Sequence, residues 1–227
     1  MKHFKIKAFA VAFLFASATA HAEVTACFWQ PGHNTPESCN TSLATNNTSI
    51  WQSNYTLEKS GQYALAVAGM DEVLRQIPTH EFALMRRAWL NYSQAHYNDA
   101  LRDYNQVLAL NPKALDARLG ITLPLLAQQR WREAAIEANK VIAVSAWDYT
   151  AHVRLMICEE GEHKWEALTR HATELATRYP GDVTAQVYLA RSAAWQNDLP
   201  NARRAYLKVL QHIPEHVEAN AYLKKNP

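Results

Sequence analysis

Four prolines, Pro78, Pro112, Pro180 and Pro214, fall at multiples of 34 residues from one another, and Ala146 stands where the missing member would be. Two further sets keep the same interval: Ala66, Ala100, Ala134 and Ala202, and the mostly aromatic Tyr63, Tyr97, Trp131, Trp165 and Leu199. Chance does not hold several residue classes in register over five units. Such a period marks an array of stacked repeats, each of which buries its apolar face only against its neighbours. Residues 81–114 show what one unit contains. Apolar residues recur at helical spacing from Glu81 to about Gln94 and again from Asn98 to Leu110, with a tight turn between and Asn111-Pro112 as a stop. Ala100 supplies a small side chain where the two helices must approach closely.

This unit resembles a tetratricopeptide repeat (TPR). That 34-residue pattern has a small residue at position 8, an aromatic at 17, alanine at 20, a large apolar residue at 24 and proline at 32; here they are Ala88, Tyr97, Ala100, Tyr104 and Pro112. The resemblance implies an all-α, right-handed superhelix of about five helix-turn-helix repeats, at 47–80, 81–114, 115–148, 149–182 and 183–214. Residues 215–227 begin like a further first helix and stop, as a cap covering the last face would. Val217, Ala219 and Leu223 are its expected packing residues.

Two repeats depart from the pattern. In repeat three Pro124 falls inside the first helix, where it removes a backbone hydrogen bond and crowds the preceding turn, so a kink or break is expected. In repeat four alanine comes one place early, at Ala167, and the spacing recovers by Pro180, which implies one residue compensated inside the second helix. Repeat five is regular again, with Asp182 as a good helix N-cap.

Residues 1–22 read as a signal peptide: Lys2, Lys5 and Lys7 precede an apolar stretch from Ala8 to Ala20, and Ala20-His21-Ala22 is a small-x-small cleavage pattern. Export to a bacterial periplasm follows. Residues 23–46 have no helical period and hold Pro31, Gly32 and Pro36, so they read as a loop-rich segment. Cys27 and Cys39 are twelve positions apart, and in an oxidising compartment a disulfide between them is the default. Two alternatives stand beside it. Val24-Thr25-Ala26-Cys27 resembles a lipobox, which would leave the chain lipid-anchored at Cys27, and His33 could join the cysteines in a metal site.

The full chain carries 23 Lys and Arg against 21 Asp and Glu; the first 22 residues hold three Lys and no acid, so the mature chain has 20 bases, 21 acids and a net charge of −1. A near-neutral chain lacks the basic stripe that a phosphate backbone requires, which disfavours nucleic acid as a partner. No other stretch is apolar enough to span a membrane. Cys158 with Glu159, Glu160, Glu162 and His163, and with His152 and His171 nearby, is the densest group of ligand-type residues, but the spacing matches no established metal pattern. Position 10 of a repeat faces inward, so a buried free thiol is the simpler reading. There is no Gly-rich phosphate loop, nucleophile elbow or His-Glu-x-x-His motif, and six glycines offer little loop machinery for catalysis. No enzyme activity, cofactor or metal is expected.

In arrays of this family the first helices line the concave surface, and the resemblance places positions 2, 5, 9, 12 and 13 there. Repeat one then contributes Trp51, Tyr55 and Lys59, repeat two Phe82, Met85, Trp89 and Tyr92, repeat three Leu119, Leu123 and Leu126, and repeat five Arg191 and Trp195. Exposed Trp, Tyr and Met bury large areas at low entropy cost and anchor partners. The Lys, Arg and Asn clamp by which some TPR grooves hold a peptide C-terminus is not present at matching positions. The expected function is a non-catalytic adaptor or assembly factor holding a protein or peptide of an envelope or secretion complex. Against it stand a groove filled by residues 23–46, a self-associating scaffold (a homo-oligomer), and a metal- or redox-handling accessory protein.

Overall fold

The structure, a computed structural model, describes residues 41–226, with side chains from residue 50 onward. The leader at 1–22, Cys27, Cys39, His33 and the lipobox lie outside the described residues. Eleven helices and no strand are present among the described residues. They are α1 (Thr41–Lys59), α2 (Tyr63–Gln76), α3 (Glu81–Ser93), α4 (Tyr97–Leu110), α5 (Leu115–Ala127), α6 (Trp131–Val144), α7 (Tyr149–Gly161), α8 (Trp165–Arg178), α9 (Val183–Trp195), α10 (Leu199–His212) and α11 (Val217–Lys225). The second helices begin at Tyr63, Tyr97, Trp131, Trp165 and Leu199. The first helices from α3 onward begin at Glu81, Leu115, Tyr149, Val183 and Val217. From α2 onward each helix packs on the next along the array, and the first helices α3 and α5, α5 and α7, and α7 and α9 also touch one another. This is the helical-repeat superhelix of the TPR fold, with α11 packed on α10.

The repeating core explains the repeating sequence. Ala66, Ala100, Ala134 and Ala202 are all fully buried, as are Val73, Val107, Val141, Leu175 and Val209 one helical face further along. A column absent from the motif reading is Ala83, Ala117, Ala151, Ala185 and Ala219, each fully buried at the third residue of its helix. The backbone N–H of four of these donates to the preceding cap side chain: Ala83 to His80, Ala151 to Asp148, Ala185 to Asp182 and Ala219 to His216. Such caps satisfy N–H groups that the first helical turn leaves free.

Each turn within a repeat places one residue in the left-handed region: Gly61, Ala95, Gln129, His163 and Asn197, with φ between 58° and 73°. Only the first is glycine. Two other glycines serve close approach. A Cβ on Gly120 would lie 2.3 Å from the Tyr104 ring, and one on Gly161 would lie 2.6 Å from the Trp131 ring. A ring from each preceding second helix thus rests on the backbone of the next first helix.

Four expectations need correcting. Helix α1 starts at Thr41, inside the stretch read as loop to residue 46, since no Pro or Gly interrupts the chain between Thr41 and Lys59. Pro124 does not break α5, which continues to Ala127. Pro124 removes the N–H that would donate to the Gly120 carbonyl, and the adjacent Leu119 carbonyl accepts from Arg154 on α7 instead. Repeat four contains no slipped residue: Leu168, not Ala167, occupies the buried position equivalent to Ala100, and α8 has the same length as its counterparts. Val217 does not pack; it is 82% exposed at the first residue of α11, whereas Ala219 is buried and Leu223 half-buried.

Candidate functional site

The helix period puts every third or fourth residue of a first helix on one side, so successive first helices build a continuous strip. Of the twelve residues expected on that strip none is fully buried. Tyr55 and Phe82 are half exposed, at 50% and 55%, and Trp195 is 65% exposed. Trp51, Met85, Trp89, Tyr92 and Leu126 are half-buried and lie over the core of the first three repeats. Leu119 and Leu123 are likewise half-buried.

The N-terminal members are drawn together. Trp51 meets Phe82 edge to face, with ring centroids 5.1 Å apart, and contacts His80 at 5.7 Å. Trp89 stands edge-on to Tyr63 at 6.1 Å, and the Arg86 guanidinium lies 5.0 Å above its ring. Lys59 lies 4.6 Å above the Tyr55 ring, and Tyr92 packs against Tyr97 at 6.0 Å. These pairings hold the rings in fixed orientations, so docking against them costs little side-chain entropy. Burial pushes the His80 imidazole below its usual pKa and the Tyr92 phenol above its own, as a half-dry apolar surface would.

The remaining two expected residues lie elsewhere in the array. Arg191 is engaged in ion pairs with Glu218 at 2.6 Å and Glu160 at 3.3 Å. Trp195 stacks on Trp165 almost in parallel, at 5.1 Å and 8°, with His163 beside both rings. Repeat five thus carries its own aromatic group.

Two side chains that matter were missed, Arg86 and Arg154. They occupy the same place on α3 and α7, two periods apart, at position 6, which the expected groove register leaves out. Arg86 is paired with Glu58. Arg154 donates through Nη1 to the Leu119 carbonyl and Thr122 Oγ1. A signal for both existed: arginine at the same place in repeats two and four, among the aromatic and aliphatic residues of their first helices.

The other group of ligand-type residues is dispersed into separate contacts. Cys158 is fully buried, and burial, with Glu162 and Glu159 adding to it, pushes its thiol up to about 12. A thiol held protonated at neutral pH is a weak nucleophile and a poor metal ligand. His171 Nδ1 is 2.6 Å from Glu159 Oε1, and His152 contacts the Ala146 carbonyl. A separate groove of about 730 Å³ lies between α8, α9 and α10, lined by polar and apolar residues such as Thr169, Gln186, Leu189 and Arg204.

No family model matches the chain, and no curated protein matches it. Solved structures do. MamA (residues 41 to the end) from Desulfovibrio magneticus RS-1 superposes with a TM-score of 0.68 at 16% identity, covering 75% of this chain and 96% of that one. YrrB, described as a TPR protein with an unusual peptide-binding site, gives 0.66 at 15% identity over 81% of this chain and 97% of its own. PilW, described as a widely conserved type IV pilus biogenesis factor, gives 0.64 at 18% identity over 74% of this chain and 77% of its own.

Proposed function

From the tetratricopeptide-repeat fold that this chain adopts, we propose that it is a non-catalytic adaptor or assembly factor of the bacterial envelope, holding a protein or peptide partner on the strip made by its first helices. The observation that carries the reading is the paired but still accessible aromatic row of α1 and α3: Trp51, Tyr55, Phe82, Trp89 and Tyr92. Rigid aromatics with part of their surface in water are the side chains that dominate partner binding when the rest is buried. The peptide-binding site named for YrrB and the pilus role named for PilW belong to those proteins, and they agree in kind with such a task. Export rests on the leader read at residues 1–22; no described helix is long and apolar enough to cross a membrane.

The test uses Tyr55→Ala with Phe82→Ala, because both side chains are half exposed and their removal leaves the core filled. Wild-type chain is expected to retain a defined partner from envelope extract, and the double variant to lose it by at least about tenfold with helicity unchanged. Equal retention by both proteins would remove the strip from consideration. A second reading, self-association through the array end, draws on exposed Val217 of α11 and Ile213 after α10. Sedimentation across a hundredfold range of concentration tests it; a constant monomer mass excludes it.

A further inference from the structure

Five arginines among the described residues are half-buried: Arg86, Arg87, Arg118, Arg154 and Arg191. Four of them face carboxylates. Arg86 pairs with Glu58, Arg87 with Asp71 and Asp103, Arg118 with Glu137, and Arg191 with Glu160 and Glu218. Arg154 faces none. Its Nη1 donates to the Leu119 carbonyl and Thr122 Oγ1, both neutral acceptors, and its other N–H groups have no acceptor among the described residues. The groups whose fields reach it are the phenols of Tyr104 and Tyr92, Asp148 and Cys158. Asp148 is occupied as the cap of α7, where its Oδ1 accepts from the Ala151 N–H at 2.8 Å.

A half-dry guanidinium without a counter-charge is a costly arrangement in a folded chain. It is also a strong receptor, because a planar fork of N–H donors binds a carboxylate through charge-assisted hydrogen bonds. The surroundings define the rest of the ligand. Leu119 and Leu123 on α5 and Val153 and Ile157 on α7, all half-buried, occupy the strip positions of the two first helices that Arg154 joins. One positive charge in an apolar setting matches one carboxylate, not a phosphate dianion.

Building on the reading of the first-helix strip as a docking surface, we propose that its occupant is an apolar peptide segment carrying an aspartate or glutamate side chain, and that Arg154 is the residue that reads that acid. Arg154 is then the specificity determinant, and the aromatic row of α1 and α3 supplies the bulk of the contact.

The experiment selects random dodecapeptides by phage display against the full chain, resynthesises the winners with both ends blocked, and measures their affinities. Selected peptides are expected to share one acid within an apolar stretch. Its Glu→Gln or Asp→Asn replacement weakens binding to the wild-type chain at least about tenfold, as expected for a hydrogen-bonded charge, and has no further effect on Arg154→Gln. The peptide-side replacement needs no variant protein, so the result stands even if Arg154→Gln folds poorly; Arg154→Lys, which keeps the charge, is expected to retain part of the preference. Peptides without an acid, or an acid whose neutralisation changes nothing, overturn the role of Arg154 and leave the docking strip intact. Winners that bind only with a free chain end overturn the side-chain assignment. No winners, or winners indifferent to Tyr55→Ala with Phe82→Ala, overturn the docking strip itself and the proposal with it.

Discussion

Gly120 lies where no side chain fits: a Cβ would come within 2.7 Å of three atoms of the Tyr104 ring, and Tyr104 is itself buried. Gly120→Ala gains about 1 kcal/mol of helix propensity but overpacks a closed site at a cost of about 1–3 kcal/mol. A net loss of up to about 2 kcal/mol is expected in urea unfolding, whereas Gly181→Ala, with open space around its Cβ, is expected to be near neutral. The opposite change applies at the turns. Gln129 is exposed with φ 58°, so Gln129→Gly relieves a left-handed conformation and is expected to stabilise by about 1 kcal/mol in the same assay. His171 adds a pH dependence. Its hydrogen bond to buried Glu159 raises its pKa above the usual 6.5, against the opposing effect of burial. A folded-state pKa above the unfolded value stabilises fully below the unfolded value, and that contribution is lost as pH rises through the folded one. The Tm advantage of wild type over His171→Asn is therefore expected to shrink from about pH 5 to about pH 9. An advantage that grows with pH would mean the imidazole is neutral in the folded chain.

Repeat four is built differently from its neighbours at the level of the helix pair. Where α3 and α4 meet through Ala88 and Ala100, and α9 and α10 through Ala190 and Ala202, α7 and α8 meet through Met156 and Leu168, both fully buried. Two large side chains meet here where those two pairs close on alanine. Leu168→Ala alone leaves a cavity and is expected to cost about 2–5 kcal/mol. Met156→Ala with Leu168→Ala lets the helices approach as the other pairs do, so the double variant is expected to cost clearly less than the two single losses combined. Strict additivity in denaturant would show that the pair cannot close. This repeat also marks where reading from sequence stopped. The period located every helix pair because backbone geometry repeats with it. At position 20, however, matching by residue identity followed Ala167, while burial there selects Leu168. Pro124 was read by a local rule, and Arg154, which donates to the Leu119 carbonyl in the turn before it, lies on another helix. The aromatic strip was legible because its positions follow from the repeat. Arg154 was not, because whether an arginine has a counter-charge depends on which carboxylates three-dimensional packing brings within reach.

An array whose units touch only their neighbours shares stability locally, so damage at one end should stay there. The core follows this pattern. One cluster runs from Ala66 to Ala134 and includes Cys158, a second gathers Met156, Leu168 and Leu175 with Ala185, and a third joins α9, α10 and Ala219 of α11. Helix α11 closes the last cluster with more than Ala219. Leu223 and Tyr222 pack on it, with the Tyr222 ring 4.6 Å from Tyr206. Glu218 accepts from Tyr206 at 2.7 Å and pairs with Arg191. Burial works against the Glu218 charge, yet Arg191 holds its carboxyl below the usual range. Removing residues 217–227 therefore uncovers Tyr206 and Val209 and takes one of two counter-charges from Arg191, leaving Glu160 alone. Hydrogen exchange is expected to speed up across α9 and α10 by at least about tenfold while α2 to α5 keep their protection, since a local loss of about 1.4 kcal/mol is a factor of ten. Uniform loss of protection along the whole array would show instead that the repeats unfold as one cooperative body, and that the aromatic strip on α1 and α3 depends on α11, many helices away.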